Sequence, residues 1–185
     1  MAHLILTGFM GSGKTTVGKI LANDLDLPFV DLDETIEAQT GLAPQFYIPR
    51  FGEAAFRRIE KICLNEVLKK GPSVLAAGGG AVLDSQNRQR ILSKGFVVWL
   101  APPFSVLRER FYGMKNRPLL PGTFRQIRLL YRQRLPLYRQ CHFQIDTASS
   151  SPKKIANCIC KKYREVKVHG PRSMVHGPSL CTPIS

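Results

Sequence analysis

The chain has 185 residues, of which 44% are hydrophobic and 22% charged, and its net charge is +14. These values are typical of one globular domain with a substantial core, and no apolar run is long enough to span a membrane. A basic chain can bind nucleic acid or acidic lipid, but this one has neither an aromatic-rich basic strand nor a recognition-helix pattern. We therefore expect small polyanionic substrates as partners, no nucleic acid, no membrane, and a monomer.

The cysteines and the N-terminus indicate the compartment. Five cysteines, an odd number, show no metal-ligand spacing with histidine, so they predict free thiols in a reducing environment. The first predicted strand begins at His3, which leaves no room for a signal peptide. We expect a cytoplasmic protein.

The first motif along the chain is G-F-M-G-S-G-K-T at residues 8–15, between a predicted buried strand at 3–7 and a predicted helix at 16–22. It matches the P-loop pattern G-x-x-x-x-G-K-T, in which backbone N–H groups and a helix N-terminus surround phosphate. Lys14 would reach the β- and γ-phosphates, and the Thr15 hydroxyl would bind Mg²⁺. A glycine-rich strand-to-helix turn without a ligand is the alternative. The residues predicted to bind ATP here are Gly11, Ser12, Gly13, Lys14, Thr15 and Thr16.

A second predicted strand, at residues 28–33, ends in two carboxylates. Positions i and i+2 of a strand face the same way, so Asp31 and Asp33 should point together at a strand end, where α/β folds bind ligands. In the alternative interpretation, Asp33 only caps the helix that begins near Glu34.

The helix predicted at 55–69 places Arg57 in a row with Leu64 and Leu68, on the flank of its apolar side. An arginine in that position requires a fixed anionic partner. Glu60, three residues on, is one candidate, and this ion pair alone would explain the arginine.

A buried strand predicted at 73–77 runs into Gly78, Gly79 and Gly80, where a small ligand can approach the backbone closely unless the segment is a plain flexible loop. A strand at 96–100 and a helix at 105–112, which carries Arg110, come next.

Residues 113–122 contain Arg117 and are predicted to form a mobile lid. In the helix predicted at 124–134, Arg134 points with the apolar side chains, and no Asp or Glu of its own helix can pair with it. Its partner must come from elsewhere in the fold or from a ligand.

A strand at 143–146 and a helix at 152–166 complete the predicted domain, residues 1–167, and we expect disorder in the Gly-, Pro- and Ser-rich tail at 168–185. Alternating strands and helices predict an α/β protein, with a parallel sheet between two layers of helices. A P-loop and two inward arginines indicate phosphoryl transfer from a nucleotide to a small acceptor that bears an anion such as a carboxylate.

Six motifs together resemble the shikimate kinases, from about Leu4 to Cys160. They are G-F-M-G-S-G-K-T at 8–15, D-L-D at 31–33, G-E-x-x-F-R-x-x-E at 52–60, G-G-G at 78–80, R-P-L-L at 117–120 and Y-R-x-R-x-P-L-Y at 131–138. The resemblance implies a P-loop kinase fold with a five-stranded parallel sheet of order 2-3-1-4-5. It also implies MgATP-dependent phosphorylation of the shikimate 3-hydroxyl, on the route to chorismate and the aromatic amino acids.

The resemblance also implies a role for each site residue. Asp33 would hold the reacting hydroxyl, and Arg57 and Arg134 would hold the shikimate carboxylate, with Gly78, Gly79 and Gly80 as further contacts. Asp31 would help to bind Mg²⁺ beside Thr15. The ATP site would be completed by Arg110 and Pro152 at the adenine and by Arg117, which would close over the phosphates. The implied substrate-binding subdomain is about 33–60, and the implied lid is about 112–124.

Residues 42–50 form a helix in that family, and Pro44 and Pro49 predict that it is interrupted here. Two other functions compete with a shikimate kinase: another small-molecule P-loop kinase, such as a gluconate kinase, and a nucleotide-binding protein that has lost catalysis. The motifs R-P-L-L at 117–120 and Y-R-x-R-x-P-L-Y at 131–138 argue against a gluconate kinase. The joint presence of Lys14, Thr15, Asp31, Asp33 and Arg117 argues against the second.

Overall fold

The computed structural model describes residues 2–113, 123–169 and 179–181. Strands and helices alternate along these residues. The strands are β1 (His3–Thr7), β2 (Phe29–Asp31), β3 (Val74–Ala76), β4 (Gly95–Leu100), β5 (Phe143–Ile145) and β6 (Ser179–Cys181). The helices are α1 (Lys14–Leu25), α2 (Leu32–Thr40), α3 (Pro44–Phe51), α4 (Glu53–Lys69), α5 (Ser85–Lys94), α6 (Phe104–Gly113), α7 (Phe124–Tyr138) and α8 (Pro152–His169).

All the strands pair in parallel, in the order β2-β3-β1-β4-β5-β6. The first five have the predicted order, which confirms the fold class. The sixth is an addition, because the sequence predicts disorder from residue 168, whereas α8 runs to His169 and residues 179–181 pair with β5. An edge strand such as β5 offers unpaired backbone groups, and a short extended segment can bond to them.

The core lies on both faces of the sheet, as expected for a parallel sheet between helices. In β1, Leu4 and Leu6 pack with the buried side chains of α1 and α8, such as Leu21 and Ile159. Ile5, between them, faces the opposite way and packs with α2 and α4. The period of two in a strand thus divides one short segment between two halves of the core. No helix of the described residues is both long and apolar enough to cross a membrane.

The predicted interruption at residues 42–50 is wrong, since α3 is helical from Pro44 to Phe51. Pro44 occupies the first helical turn, where the N–H that proline lacks has no partner within the helix anyway. Pro49 removes one backbone hydrogen bond, but Tyr47 and Ile48 pack against the core beneath the helix. The Tyr47 ring also contacts the ring of Phe56, with 6.2 Å between centroids. This packing holds a helix that the local sequence disfavours.

Candidate active site

The P-loop leads from β1 into α1 through glycines with positive φ. Gly8 has φ 142°, and a Cβ there would lie 2.6 Å from the carbonyl oxygen of Leu100, so only glycine fits. Gly13 has φ 95° and directly precedes α1, whose first N–H groups therefore open onto the loop. Lys14 folds back over this loop, and its Nζ donates to the carbonyls of Gly8 (3.0 Å) and Phe9 (3.2 Å). The arrangement concentrates positive charge and N–H donors, as an anion site requires.

A hydroxyl and a carboxylate meet beside the P-loop. Thr15 Oγ1 donates to Asp31 Oδ2 over 2.9 Å, and Asp31 Oδ1 accepts the backbone N–H of Asp33 over 3.1 Å. This second bond makes Asp31 the N-cap of α2. The prediction that Asp33 ends a strand is therefore wrong: β2 stops at Asp31, and Asp33 lies in the first turn of α2. Both carboxylates nevertheless line the same cleft.

The three glycines after β3 contact the predicted acceptor residues. A Cβ on Gly78 would lie 2.7 Å from Asp33 Oδ1, and a Cβ on Gly80 would overlap the guanidinium of Arg57. The carbonyl of Gly79 accepts from Arg134 Nη1 over 3.3 Å. None of the three has a positive φ, so backbone conformation does not require glycine here. Space is short at Gly78 and Gly80, whereas a Cβ on Gly79 would come no closer than 3.5 Å to its neighbours. The turn thus brings together residues from α2, α4 and α7.

Arg57 is held by two carboxylates of its own helix. Its Nη1 donates to Glu60 Oε2 over 2.8 Å, and its Nη2 and Nε donate to Glu53 Oε1 over 3.0 and 3.3 Å. The predicted pair with Glu60 is confirmed. Glu60 is 1% exposed, and burial raises its pKa, an effect that the adjacent Arg57 partly offsets. Glu53 was missed by the sequence analysis, although its i, i+4 spacing to Arg57 could have identified it.

Arg134 is buried, as its place on the apolar side of α7 predicts. Its guanidinium carbon lies 5.8 Å from the centroid of the Phe9 ring, and its Nε has no acceptor among the described residues. A cation in this position carries unused donor capacity. The sequence analysis missed Tyr138, one turn further along α7, whose hydroxyl donates to the Gly79 carbonyl over 2.6 Å.

A cleft of about 640 Å³ joins the P-loop to the glycine turn. At its far end, Arg110 Nη1 donates to the carbonyl of Gly11 over 2.9 Å and Nη2 to that of Thr147 over 3.2 Å. Arg110 therefore ties the P-loop to the segment between β5 and α8. Arg117 lies outside the described residues. The predicted residues that line the cleft are Gly11, Ser12, Gly13, Lys14, Thr15, Thr16, Asp31, Asp33, Gly78, Gly79, Arg110 and Pro152.

The oxygen atoms of Thr15 and Asp31 are suited to Mg²⁺, a hard cation with oxygen ligands. No cluster of three or more His, Cys, Asp or Glu side chains that could hold a metal is found in the part of the chain that the structure describes. Mg²⁺ in kinases is bound through one or two carboxylates together with substrate phosphates, so one hydroxyl and one carboxylate fit it without such a cluster.

The chain is similar in sequence and in fold to known proteins. The family model for shikimate kinase matches residues 10–164. A shikimate kinase from Thermodesulfovibrio yellowstonii is 39% identical over 168 residues, which cover 90% of this chain and 97% of the relative. The structure of shikimate kinase from Acinetobacter baumannii in complex with shikimate superposes with a TM-score of 0.84 at 37% identity, covering 91% of this chain and 96% of that one.

More distant structures share the fold only. A gluconokinase from Sinorhizobium meliloti has a TM-score of 0.55 at 18% identity, over 91% of this chain and 97% of its own. The family match covers most of the chain. Of the predicted site residues that the structure describes, Arg57, Gly80 and Arg134 do not line the cleft, and they meet at the glycine turn beside it. The chain belongs to the shikimate kinase family.

Proposed function

We propose that the protein transfers the γ-phosphoryl group of ATP to the 3-hydroxyl of shikimate, with ADP and 3-phosphoshikimate as products. The observation that carries this proposal is the convergence of Asp33, Arg57 and Arg134 on one glycine turn beside a P-loop. Two guanidinium groups suit a ligand carboxylate, because arginine can bind it through two parallel hydrogen bonds. The A. baumannii relative, whose structure contains shikimate, supports this choice of acceptor.

At the donor end, the P-loop amides and Lys14 bind the phosphates of ATP, and Arg110 and Pro152 border the adenine. Lys14 stabilises the negative charge that is distributed over the phosphoryl oxygens in the transition state. Thr15 and Asp31 would hold Mg²⁺, which would supply positive charge at the phosphates of ATP. The family resemblance assigns Arg117, which lies outside the described residues, to the phosphates as a further cation.

At the acceptor end, Asp33 accepts a hydrogen bond from the 3-hydroxyl and directs its oxygen toward the γ-phosphorus. As the new oxygen–phosphorus bond forms, the bond from the γ-phosphorus to the β–γ bridging oxygen breaks, and Asp33 takes the hydroxyl proton. The transition state of phosphoryl transfer is mostly loose, so orientation by Asp33 is expected to matter as much as basicity.

A coupled ADP-release assay tests the proposal with shikimate, gluconate and nucleoside monophosphates as parallel acceptors, each with and without Mg²⁺. We expect turnover when shikimate is the acceptor and none with gluconate or the nucleoside monophosphates, and we expect it only when Mg²⁺ is present. Lys14→Ala should abolish turnover while leaving the melting temperature near that of the wild type. Turnover with gluconate in place of shikimate, or none with any acceptor, would overturn the proposal.

A further inference from the structure

Tyr138 makes a short hydrogen bond to the glycine turn, and the proposed chemistry does not use it. Its hydroxyl donates to the Gly79 carbonyl over 2.6 Å. The side chain is 1% exposed, and its ring lies against Trp99 of β4, with 6.1 Å between centroids and 22° between planes. Burial raises the pKa of Tyr138 to about 12, so the phenol keeps its proton and remains a donor at any working pH. Tyr138 is therefore always the donor in this hydrogen bond.

Among the three carbonyls of the glycine turn, that of Gly79 depends most on α7. The carbonyls of Gly78 and Gly80 accept the N–H groups of Ala81 (3.0 Å) and Leu83 (2.9 Å), which lie within the same segment of chain. The Gly79 carbonyl accepts instead from Tyr138 and, more weakly, from Arg134. Its direction is thus set by one helix from outside the turn.

The direction of this carbonyl also determines the direction of the next N–H. The carbonyl of Gly79 and the N–H of Gly80 belong to one planar trans peptide unit, in which the two groups point in opposite directions. Because the carbonyl points to α7, the Gly80 N–H points away from it. No acceptor for this N–H occurs among the described residues, and Gly80 is partly exposed.

The peptide unit between Gly79 and Gly80 also separates the acceptor groups. Gly78 touches Asp33 on one side, and Gly80 lies against the guanidinium of Arg57 on the other. A rotation of the unit would change the direction of the Gly80 N–H and move the Gly80 α-carbon relative to the guanidinium of Arg57. The Tyr138 bond opposes such a rotation, and glycine provides no side chain that could do so.

We propose that Tyr138 is a positioning residue for the phosphoryl acceptor: it fixes the Gly79–Gly80 peptide and thereby the Gly80 N–H, which donates to shikimate. This inference rests on the proposed function, because it assigns that N–H to the same acceptor. It predicts a larger effect on the acceptor than on ATP, because the N–H that the bond orients belongs to Gly80, which lies against Arg57 of the acceptor site. Gly79 itself also packs on the P-loop, since a Cβ there would lie 3.5 Å from the backbone nitrogen of Met10, so both substrates are measured.

Tyr138→Phe removes only the hydroxyl and keeps the ring against Trp99. Tyr131→Phe is the matched control, since Tyr131 lies on the same helix and its hydroxyl donates to the carbonyl of Pro102 over 3.3 Å, away from the turn. Steady-state assays give the KM of shikimate and of ATP separately. Isothermal titration calorimetry gives the dissociation constant of shikimate independently of turnover.

For Tyr138→Phe we expect the KM and the dissociation constant of shikimate to rise roughly 3- to 10-fold, as for the loss of one hydrogen bond, while the KM of ATP changes less than about twofold. Tyr131→Phe should leave both KM values near wild type. Equal shikimate constants for Tyr138→Phe and wild type would overturn the assignment, as would equal losses for both substrates or failure of the variant to fold. A wild-type protein without shikimate turnover would instead overturn the proposed function, and this inference with it.

Discussion

Two arginines carry the proposed recognition of the acceptor carboxylate, and their surroundings differ. Arg57 is half-buried and already paired with Glu53 and Glu60. Arg134 is buried, with a long bond to the Gly79 carbonyl and an Nε that has no acceptor among the described residues. A buried cation with unused donors is poorly satisfied until a ligand arrives. We therefore expect Arg134 to contribute the larger part of shikimate affinity.

Arg134→Lys should weaken shikimate binding, because lysine cannot reproduce the planar fork of the guanidinium. The loss should be on the order of 1.5–3 kcal/mol, the range for hydrogen bonds to charged groups. Titration of shikimate and of ATP against the wild type and the variant measures it, and ATP affinity should hardly change. Arg132→Lys, on the exposed side of the same helix, is the control. Unchanged shikimate affinity for Arg134→Lys would remove Arg134 from the site.

Glu53 occupies the Nε and Nη2 edge of Arg57, to which a ligand carboxylate could also bind. Its side chain is 65% exposed, so it can return to water when a ligand takes its place, whereas buried Glu60 cannot. Glu53→Gln should therefore tighten shikimate binding, roughly two- to fivefold, the range for an exposed ion pair. Shikimate titrations check this, with Glu66→Gln as a control that breaks the exposed pair of Glu66 with Lys69. Weaker binding by Glu53→Gln would mean that Glu53 orients Arg57 for the ligand.

Helical periodicity alone predicted the direction in which Arg57 and Arg134 point. Each lies on a flank or face that a solvated arginine would avoid, and the structure brings both to the glycine turn. The same reasoning could not find Tyr138, because the acceptor of its hydroxyl is 59 residues away in the chain. Position on a helix predicts which way a side chain points, but it does not identify a partner from another element.

Among the helices and strands, α3 is where the local sequence and the structure disagree most. A proline inside a helix is about 3 kcal/mol less favourable than alanine, since it lacks an N–H and crowds the preceding turn. Pro49 is exposed and lies inside α3, so the helix forms through the packing of Tyr47 and Ile48 and not through propensity. The helix also begins without a side-chain cap at Ala43.

Pro49→Ala should therefore stabilise the protein by about 1–2 kcal/mol, less than the full difference because the helix already accommodates the ring. Thermal or denaturant unfolding measures the change. Pro44→Ala, at the first helical turn, should have a smaller effect, since no N–H bond is regained there. A lower melting temperature for Pro49→Ala than for wild type would show that the proline fits α3 and mainly restricts the unfolded chain.

Two helices begin directly after an aspartate N-cap, Asp31 for α2 and Asp84 for α5, and the sequence analysis did not use either cap to predict where the helix starts. The strand predicted at 28–33 stops at Asp31, because that carboxylate caps α2. The sequence analysis omitted α5, whose N-cap Asp84 accepts from the N–H of Asn87 and whose one strongly buried aliphatic side chain is Ile91. A mostly polar ten-residue helix has a weak apolar period, so its cap was the better signal.

For the whole molecule, alternation of strands and helices correctly predicted a parallel sheet covered on both faces. The strand order depended on the family resemblance, because periodicity does not specify which strands pair. Neither hydrophobic periodicity nor the family resemblance predicted β6, since three residues in a polar, proline-rich tail are too few to show the alternation of a strand. Its pairing with β5 depends on an edge that exists only once the sheet has formed.

The sheet also predicts how the stability of the protein depends on pH. His142 lies beside β4, immediately before β5. Its side-chain Nδ1 accepts the backbone N–H of Val97 over 3.0 Å, and its backbone N–H donates to the Val97 carbonyl over 2.9 Å. The ring stacks on Phe96, with 5.9 Å between centroids. Nδ1 can accept only in the neutral form, and burial lowers the pKa of His142.

A histidine whose pKa is lower in the folded state than in the unfolded chain binds protons preferentially when unfolded. Its stabilising effect is present above the unfolded pKa of about 6.5 and is lost as the pH falls from there toward the folded pKa. Burial also lowers the pKa of His3, which adds a loss of the same sign. These two histidines therefore lower the free energy of unfolding as the pH falls below about 6.5, whereas buried Glu60, whose pKa is raised, acts in the opposite direction.

His142→Asn isolates the contribution of this residue, because the asparagine Oδ1 can accept from Val97 in place of Nδ1 and does not take up a proton. Melting temperatures at several pH values from 7.5 to 5 should fall less in the variant than in the wild type. The variant should keep the part of the acid sensitivity that His3 causes, and His3→Asn combined with His142→Asn should remove most of it. His176→Asn, a change in the tail, should leave the pH profile of the wild type intact. Identical profiles for wild type and His142→Asn would mean that acid acts elsewhere, and that the bond from Val97 persists when the solution is acidic.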